Sequence, residues 1–339
     1  MKVKSAPIFD PNSASSHEGI FGLASTEQNS KVLILSVPFE ATTSYLGGTS
    51  KGPKKILEAS QQVDLYSPLY PNAWKQGIYL SPLKDSQKIS ALSSATQKLV
   101  KKCRNIRRES EKEKLQSKVD KAGSQVNDFV SKFSAKTLKT GKIPAVLGGD
   151  HSVPFGNIAE CIRYFPKMGV LHLDAHFDLR RAYEGFTWSH ASIMQNVVTR
   201  LPLQRLVQFG IRDYCNDEIE FASSKSQIRF FTDQDLFAQK SKGKVWDRLC
   251  DEIIESLPPE VYLSFDIDGL DPSFCPTTGT PVPGGLTYSE LTYLIHKVVL
   301  SKRKIIGFDL VEVGPEEWDA NVGARLLYAM SSAAIESQT

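Results

Sequence analysis

Residues 170–178 read Val-Leu-His-Leu-Asp-Ala-His-Phe-Asp, in which an apolar run leads directly into alternating aspartate and histidine side chains. The run Val170 to Leu173 predicts a buried strand, because short apolar segments bounded by polar residues are typical of sheet interiors. Side chains two residues apart in an extended backbone point to the same face. Asp174, His176 and Asp178 are therefore predicted to converge on one side of the strand end.

A second segment repeats this arrangement further along the chain. The apolar run Val261 to Leu263 is followed by Asp266 and Asp268, which again stand two residues apart. Together with the two aspartates of the first segment, they would place four carboxylates close to one another. Such carboxylates repel one another strongly unless divalent cations lie between them. The two segments therefore predict a metal site and not a solvated acidic surface.

A third apolar run, Ile143 to Leu147, leads into Gly-Gly-Asp-His-Ser at 148–152 and adds His151 as a sixth candidate ligand. A glycine pair before a polar residue usually indicates only a turn, but three such motifs at three strand ends favour a functional site. The predicted metal ligands are His151, Asp174, His176, Asp178, Asp266 and Asp268. This set is rich in hard oxygen donors and lacks a thiolate, which favours Mn²⁺ over a structural zinc ion and suits metal-assisted hydrolysis.

Seven apolar runs predict the strands of an α/β fold. They are Val32 to Val37, Ile143 to Leu147, Val170 to Leu173, Leu206 to Phe209, Ile228 to Phe231, Val261 to Phe265 and Ile305 to Leu310. Such runs, alternating with helix-like stretches, indicate parallel strands connected by crossover helices. The metal-ligand motifs follow the carboxyl ends of these strands, the edge at which open α/β sheets build their sites. His172 lies inside one run and is predicted to be a core histidine or one that supports a ligand.

Two helix starts and one long charged segment are marked in the sequence. Gly52-Pro53 predicts the start of a helix, and Thr287 with Glu290 three residues later predicts a capping box at the start of another. Residues 98–139 are rich in Lys, Arg, Glu and Ser, with apolar residues at near-helical intervals, and predict one or two amphipathic helices with a charged outer face. A basic partner-binding arm is the alternative, but acidic residues interrupt its positive charge.

The composition limits the classes of function. The chain has 339 residues, of which 41% are hydrophobic, enough for a sizeable core, and its formal net charge of +3 argues against a dedicated nucleic-acid surface. Five scattered cysteines without a Cys-x-x-Cys pair, and no apolar N-terminal segment, predict a cytoplasmic protein. No stretch reaches the roughly 20 apolar residues of a membrane span.

Residues 1–31 are expected to be a polar N-terminal extension and residues 32–339 a single domain.

Five sequence blocks resemble the signatures of the ureohydrolases, the family of arginase and agmatinase, and they follow in that family's order. The blocks are GGDHS (148–152), DAHFD (174–178), SFDIDGLDPSF (264–274), GTPVPGGLT (279–287) and GFDLVEV (307–313). The resemblance implies a three-layer α/β/α domain with a mostly parallel eight-stranded sheet, two Mn²⁺ ions per subunit and a homo-oligomer, either a trimer or a hexamer. The eighth strand rests on this resemblance, because the apolar pattern predicts only seven.

The resemblance also implies roles for individual residues. One ion would be held by His151, Asp174, Asp178 and Asp266, and the other by Asp174, His176, Asp266 and Asp268, so that Asp174 and Asp266 bridge the two. Glu312 would receive the guanidinium group of the substrate, Thr280 would place a hydroxyl beside that group, and His190 would transfer a proton to the leaving amine.

Within the family, the blocks at 37–45 and 178–190 are similar to the agmatinase branch, and the loop with which arginases grip an α-amino acid is absent. The sequence therefore predicts a small guanidino substrate, with agmatine hydrolysed to putrescine and urea, and neither nucleic acid nor membrane as partner. An arginase or guanidinobutyrase is the alternative if Arg180 or Arg181 turns inward to receive a carboxylate, although both are expected on the loop surface. A catalytically silent regulatory relative is less favoured because no ligand is missing, and a single-zinc amide hydrolase because the carboxylate set is complete.

Overall fold

Eight strands form one sheet in the computed structural model, which describes residue 11 and residues 17–339. The strands are β1 (Val32–Val37), β2 (Ile78–Leu80), β3 (Ile143–Gly148), β4 (Gly169–Leu173), β5 (Arg205–Ile211), β6 (Ile228–Thr232), β7 (Glu260–Asp266) and β8 (Lys304–Val311). Their order across the sheet is β2-β1-β3-β8-β7-β4-β5-β6, and every neighbouring pair is parallel. The predicted α/β fold with an eight-stranded sheet is confirmed, and the sheet is parallel throughout.

Each of the seven strands predicted from apolar runs coincides with an observed strand, with small shifts at the ends. The eighth is β2, a strand of 3 residues that pairs with β1 at the edge of the sheet. Three residues are too few for a periodic pattern, which is why the sequence pattern does not predict this strand.

Ten α-helices of the described residues cover the two faces of the sheet. They are α1 (Gly52–Ser60), α2 (Gln87–Asn105), α3 (Glu109–Lys139), α4 (Phe155–Tyr164), α5 (Ile193–Arg200), α6 (Asn216–Ser224), α7 (Asp233–Ser241), α8 (Trp246–Glu255), α9 (Tyr288–Leu300) and α10 (Glu317–Glu336). Helices α1 and α7 to α10 pack on one face, and α2 to α6 pack on the other. Alternate strand residues face opposite layers, as Leu171 and Val170 of β4 do. The result is a three-layer α/β/α arrangement.

Both helix starts marked in the sequence are observed. Helix α1 begins at Gly52 with Pro53 in its first turn. Helix α9 follows Thr287, whose Oγ1 accepts a hydrogen bond from the Glu290 amide at 3.2 Å, while Glu290 Oε2 accepts one from the Thr287 amide at 3.0 Å. This capping box gives partners to amide groups that a helix start otherwise leaves unpaired.

The chain before β1 contributes to the core. Residues 1–10 and 12–16 of the expected polar extension lie outside the described residues. Ile20 and Phe21 are buried, and the Phe21 ring packs edge-on against Tyr328 of α10 with ring centroids 5.0 Å apart. The packed chain therefore begins upstream of β1, whereas the sequence suggested that the domain begins at residue 32, the first residue of β1.

The charged segment at 98–139 belongs to two helices, α2 and α3, which pack against each other and are called the α2–α3 hairpin below. Helix α2 begins at Gln87, upstream of that segment. Apolar side chains of both helices, including Val100 and Leu115, are buried between them, and the charged side chains cover the outer face. Neither of these helices, nor any other helix in the described part of the chain, is long and apolar enough to cross a membrane.

Candidate metal centre

The carboxyl ends of four adjacent strands, β3, β8, β7 and β4, meet at one edge of the sheet. A predicted site residue stands at each end: His151 after β3, Glu312 after β8, Asp266 at the end of β7 and Asp174 after β4. Because parallel strands end at the same edge, residues as distant in sequence as His151 and Glu312, 161 positions apart, lie side by side. The four strand ends define the position of the candidate site.

The predicted ligands approach one another because the chain turns, and not because the strands continue. Strand β4 ends at Leu173, and Asp178 has a left-handed backbone with φ 54°. Asp268 lies in the 3₁₀ turn Ile267–Gly269, where the Asp266 side chain accepts a hydrogen bond from the Asp268 amide at 2.8 Å. Aspartate tolerates a positive φ better than most residues do. The prediction that an extended backbone brings these side chains together was therefore wrong.

His151 stands at the centre of the cluster. Its Nδ1 lies 3.0 Å from Asp174 Oδ2, 3.2 Å from Asp178 Oδ2 and 3.4 Å from Asp266 Oδ2. All four side chains are buried. One imidazole nitrogen and three carboxylate oxygens around a common point form a donor set that suits a divalent cation.

The donor atoms form two groups that share Asp174. The first group is His151, His172, Asp174 and Asp178, the second is Asp174, His176 and Asp268, and the donor atoms of each group lie within 4.8 Å of one another. His176 Nδ1 is 3.3 Å from Asp174 Oδ1 and 3.2 Å from Asp268 Oδ2. Asp266, the other predicted bridge, contacts the first group through its Oδ2, which lies 3.4 Å from His151 Nδ1. A carboxylate common to both groups makes the cluster consistent with a binuclear metal site.

The crowding of carboxylates changes their protonation. Burial and the negative charge of Asp174 raise the pKa of Asp178 to about 7. Burial and the charges of Asp268 and Asp174 raise the pKa of Asp266 well above its usual range. Burial also acts to raise the pKa of Asp174, but hydrogen bonds from three histidines hold it well below its usual range. Such a set is stabilised by a cation between the carboxylates, so these residues fit a metal centre.

Two polar side chains orient His151 from the side opposite the carboxylates. His151 Nε2 lies 3.1 Å from Ser264 Oγ, and Ser264 Oγ donates a hydrogen bond to Asp309 Oδ1 at 3.1 Å. Since Ser264 donates to Asp309, it accepts from His151 Nε2, which leaves Nδ1 of the neutral ring as the ligand atom. Ser264 and Asp309 lie in two of the family-like blocks but were not identified from the sequence as part of the site.

His172 is buried in β4 and lies beside Asp174. Gln208 Nε2 is 3.0 Å from His172 Nδ1 and also donates to the Phe177 carbonyl at 2.8 Å. An amide nitrogen only donates, so Nδ1 accepts and the proton lies on Nε2, which is 3.1 Å from Asp174 Oδ2. Burial lowers the pKa of His172, which favours a neutral ring. This geometry favours the supporting role expected from the sequence over a place among the ligands.

Glu312 has two carboxylate oxygens in different surroundings. Its backbone has φ 59°, and Oε1 accepts a hydrogen bond from the His151 amide at 3.0 Å. Oε2 is buried and has no hydrogen-bond partner among the described residues, and a Cβ added at Gly279 would lie 2.9 Å from it. Burial and the charges of Asp266 and Asp150 raise the pKa of Glu312 well above its usual range. A buried oxygen without a partner is available to a cationic ligand.

A cavity of about 220 Å³ lies beside the cluster. The predicted site residues that line it are His151, His176, Asp178, His190, Asp266, Thr280 and Glu312. Thr280 Oγ1 donates to Asp268 Oδ2 at 3.4 Å, and His176 contacts both Asp174 and Asp268. The structure therefore brings all nine predicted site residues to one cavity or directly behind its wall.

His190 reaches the cavity from the loop at 179–192. Its ring Nδ1 lies 3.1 Å from Thr42 Oγ1, and the same oxygen accepts a hydrogen bond from the His190 amide at 3.1 Å. Burial lowers the pKa of His190 to about 4, and the neighbouring His176 and His151 side chains act in the same direction. The imidazole is therefore neutral near pH 7 and can accept a proton. Thr42 was not identified from the sequence, although it lies in a block that resembles the agmatinase branch.

Arg180 faces the cavity, in contrast to the outward position expected from the sequence, although its side chain is still 40% exposed. It lines the cavity, with Nε 3.4 Å from Glu218 Oε2 and the guanidinium 5.0 Å from the centre of the Tyr183 ring. The buried Glu218 carboxylate forms an ion pair with the Arg180 guanidinium. Arg181 is exposed, as expected. The sequence cannot show that Arg180 and Arg181 point in different directions, because the position of Arg180 depends on Glu218, which lies in α6.

Two charged residues that sequence reasoning did not identify organise the loops of the site. Asp150 Oδ2 accepts a hydrogen bond from the Ala41 amide at 2.9 Å, which fixes the segment before Thr42. The Arg212 guanidinium donates to the carbonyl oxygens of Asp268 at 2.6 Å and Val282 at 2.9 Å. Asp150 was interpreted only as part of a turn, and an isolated arginine gave no signal.

Comparison with known proteins gives a consistent result. A family model described as the arginase family matches residues 30–333. The N(1)-aminopropylagmatine ureohydrolase of Thermus thermophilus is 29% identical over 289 residues, which cover 85% of this chain and 84% of that protein. The agmatinase of Bacillus anthracis is 28% identical over 288 residues, which cover 85% of each. A solved structure, the agmatine ureohydrolase of Thermoplasma volcanium, has the same fold, with a TM-score of 0.71 and 23% identity over 95% of each chain.

Proposed function

Because the chain belongs to the arginase family, we propose that it is a manganese-dependent ureohydrolase that hydrolyses agmatine to putrescine and urea. The membership itself confirms the resemblance drawn from the five sequence blocks. Relatives named agmatinase and N(1)-aminopropylagmatine ureohydrolase support a substrate of the agmatine type.

The proposed metal ions belong to the cluster around Asp174. His151 and Asp178 would hold one ion with it, His176 and Asp268 would hold the other, and Asp266 would be the second carboxylate shared by both ions. The buried, oxygen-rich donor set without a thiolate favours Mn²⁺. When bound, two such ions supply Lewis-acid activation of a water molecule, which provides the nucleophile near neutral pH.

The proposed substrate position rests on one observation, the buried Oε2 of Glu312 without a partner among the described residues. A guanidinium group would donate charge-assisted hydrogen bonds to this oxygen and remove the cost of leaving a buried carboxylate unpaired. Oε1 is fixed by the His151 amide, so the carboxylate is held next to the metal ligands. The guanidinium carbon would then lie beside the metal cluster.

His190 is the proposed group for proton transfer. The guanidinium carbon is a poor electrophile because its positive charge is delocalised, so the leaving amine must gain a proton as the C–N bond breaks. With the proton of the neutral His190 ring on Nδ1, donated to Thr42 Oγ1, Nε2 would be free to accept a proton and pass it to the amine. General acid–base transfer of this kind typically contributes about 10²- to 10⁴-fold in rate.

The mouth of the cavity supports agmatine over arginine. Arg180, which lines the cavity, is already paired with Glu218. Asp213 also lines the cavity, its side chain is 70% exposed, and it adds negative charge near His176. The carboxylate of arginine would approach Asp213 and lose water without gaining a free cationic partner, whereas the amine of agmatine would be attracted.

A carboxylate-bearing substrate, either arginine or guanidinobutyrate, is the second candidate. It is favoured by the position of Arg180, since movement of the guanidinium away from Glu218 would present it to a substrate carboxylate. The chemistry at the metal cluster would be the same, and only the contacts of the tail would differ.

Urea release from agmatine, arginine and guanidinobutyrate, measured with added Mn²⁺, tests the proposal. We expect kcat/KM for agmatine to exceed that for arginine by at least about 100-fold, which corresponds to ~2.7 kcal/mol. If Arg180 moves from Glu218 to receive a substrate carboxylate, Arg180→Ala should abolish any residual arginine activity, and the exposed Arg181→Ala is the matched control. Equal or better turnover of a carboxylate-bearing compound would overturn the agmatine assignment, and absence of urea from every compound would overturn the proposed function.

A further inference from the structure

Tyr183 and His190 both reach the cavity from the loop at 179–192, which leads into α5. This loop contains a turn in which Glu184 has φ 55° and Gly185 has φ 83°. A glutamate rarely adopts a left-handed backbone, so surrounding contacts must hold the turn in place. The contacts that do so come from the α2–α3 hairpin, whose charged segment has no role in the family-like blocks.

Helix α2 holds the loop through Arg104. Its Nε donates to Glu184 Oε2 at 2.9 Å, and its Nη2 lies 2.8 Å from the same oxygen. Nη2 also donates to the Thr43 carbonyl at 3.1 Å. Arg104 therefore connects the loop that contains His190 to the segment that contains Thr42. These two segments carry the partners of the Thr42–His190 hydrogen bond.

Helix α3 holds the same loop through polar contacts. Asp120 accepts hydrogen bonds from the Thr187 amide at 2.8 Å and from Thr187 Oγ1 at 2.6 Å. Gln116 Nε2 donates to the Glu184 carbonyl at 3.1 Å. Two residues of α3 therefore fix the backbone at Glu184, within the turn, and at Thr187, three residues before His190.

An apolar contact completes this attachment. Phe186 is 1% exposed and is buried in a cluster with Val100 and Cys103 of α2 and Leu115 and Val119 of α3. A Phe186 side chain inserted between the helices prevents the loop from moving away while the hairpin is folded. Polar and apolar contacts thus converge on residues 184–187, next to the proposed proton-transfer group.

We propose that the α2–α3 hairpin positions the loop at 179–192, with Asp120 and Arg104 as positioning residues that set the His190 imidazole against Thr42 and the cavity. The catalytic part of this inference rests on the proposed function, whereas the order of the loop does not. Neither residue lines the cavity, so each acts through the loop and not on the substrate.

Steady-state kinetics of three variants test the catalytic part. Asp120→Ala removes both hydrogen bonds to Thr187 and should lower kcat by on the order of 10-fold or more with KM little changed, because displacement of a reacting group affects the chemical step. Asp120→Asn retains an acceptor for the Thr187 amide and should restore most of kcat. Arg108→Ala removes an exposed pair with Glu111 in the same hairpin, at 2.8 Å, and should have wild-type kcat.

Hydrogen exchange separates positioning from loss of folding and from failure of the proposed function. Asp120→Ala and Arg104→Ala should speed amide exchange at 179–192 without changing exchange at 148–152 or the amount of Mn²⁺ bound. If Asp120→Ala does not fold, Thr187→Val tests the same contact, since it removes only the hydroxyl. Wild-type exchange at 179–192, or faster exchange with unchanged kcat, would overturn the positioning role. A wild-type enzyme without urea release would instead overturn the proposed function and leave the exchange test valid.

Discussion

At the scale of single residues, Glu312 shows how one carboxylate can serve two purposes. Oε1 is committed to the His151 amide, while Oε2 is left without a partner among the described residues. Its left-handed backbone, with φ 59°, is a conformation that glutamate rarely adopts, and such strain is common at functional sites. The strained backbone therefore indicates a functional role for this carboxylate and not packing alone.

Glu312→Gln tests the charge of this residue while keeping its size. Hydrogen bonds to charged groups contribute about 1.5–3 kcal/mol, so kcat/KM should fall roughly 10- to 100-fold. Glu312 belongs to neither donor group, so bound Mn²⁺ should be nearly unchanged. Kinetics together with metal analysis check both statements, and wild-type kinetics would remove Glu312 from the site.

His190→Asn tests proton transfer by removing the titratable imidazole ring and keeping a polar side chain. We expect kcat to fall by about 10-fold or more, with fold and metal content intact, because His190 is in neither donor group. The pH–rate profile of the variant should lose the limb that reports the wild-type histidine. An unchanged profile would show that another group moves the proton.

At the scale of elements, the site is assembled where strand ends meet and is held by residues that connect them. Arg212, just after β5, donates to backbone carbonyls at Asp268, Leu270 and Val282. One guanidinium therefore connects the end of a strand to the turn that presents Asp268, a proposed metal ligand, and to the segment beside Thr280. Lysine cannot replace this contact, because an ammonium lacks the planar set of five donors.

Arg212→Lys should therefore weaken the turn at Asp268. Loss of two hydrogen bonds at roughly 0.5–1.5 kcal/mol each predicts a decrease of about 1–3 kcal/mol in the free energy of unfolding. Denaturant titration measures this change, and Mn²⁺ titration should show weaker binding at one of two sites. Arg229→Lys, at an exposed position of β6, is the matched control. Equal effects of the two substitutions would contradict the role given to Arg212.

At the scale of the whole molecule, metal binding and folding are expected to be linked. The proposed ligands stand at the carboxyl ends of β3, β4 and β7, so ions bound among them would connect the centre of the sheet. A ligand that binds only the folded state adds about 2.7 kcal/mol of stability at a concentration 100 times its Kd. The family resemblance further leads us to propose a homo-oligomer, which measurement of mass in solution can test.

Metal analysis of the purified protein should find close to two Mn²⁺ per subunit, with a lower Tm and no activity after chelation. Asp268→Ala should lower the content towards one, since Asp268 belongs only to the second donor group. A single tightly bound zinc ion, with activity that survives chelation, would show that the binuclear interpretation is wrong.

The sequence by itself predicted seven of the eight strands and the residues that we propose as metal ligands. Apolar runs of four to six residues are local patterns, so seven strands could be predicted from them, and the polar residues that follow parallel strands must meet at one edge. The chemistry of the side chains then indicated the kind of site, because four aspartates and two histidines in one place are stabilised by a cation. The predictions failed where the pattern was too short, as for β2, or where a turn replaced an extended backbone, as at Asp178.

Only the tertiary structure decided which side chains act on one another. Thr42 and His190 are 148 positions apart, Asp120 and Thr187 are 67 apart, and no periodic pattern joins either pair. Arg180 turned towards the cavity because Glu218 lies there, a contact between a loop and a separate helix. Hydrogen bonds of this kind depend on the distance and angle at which packed elements meet. A pattern along the chain contains neither quantity, so these contacts became visible only in the folded protein.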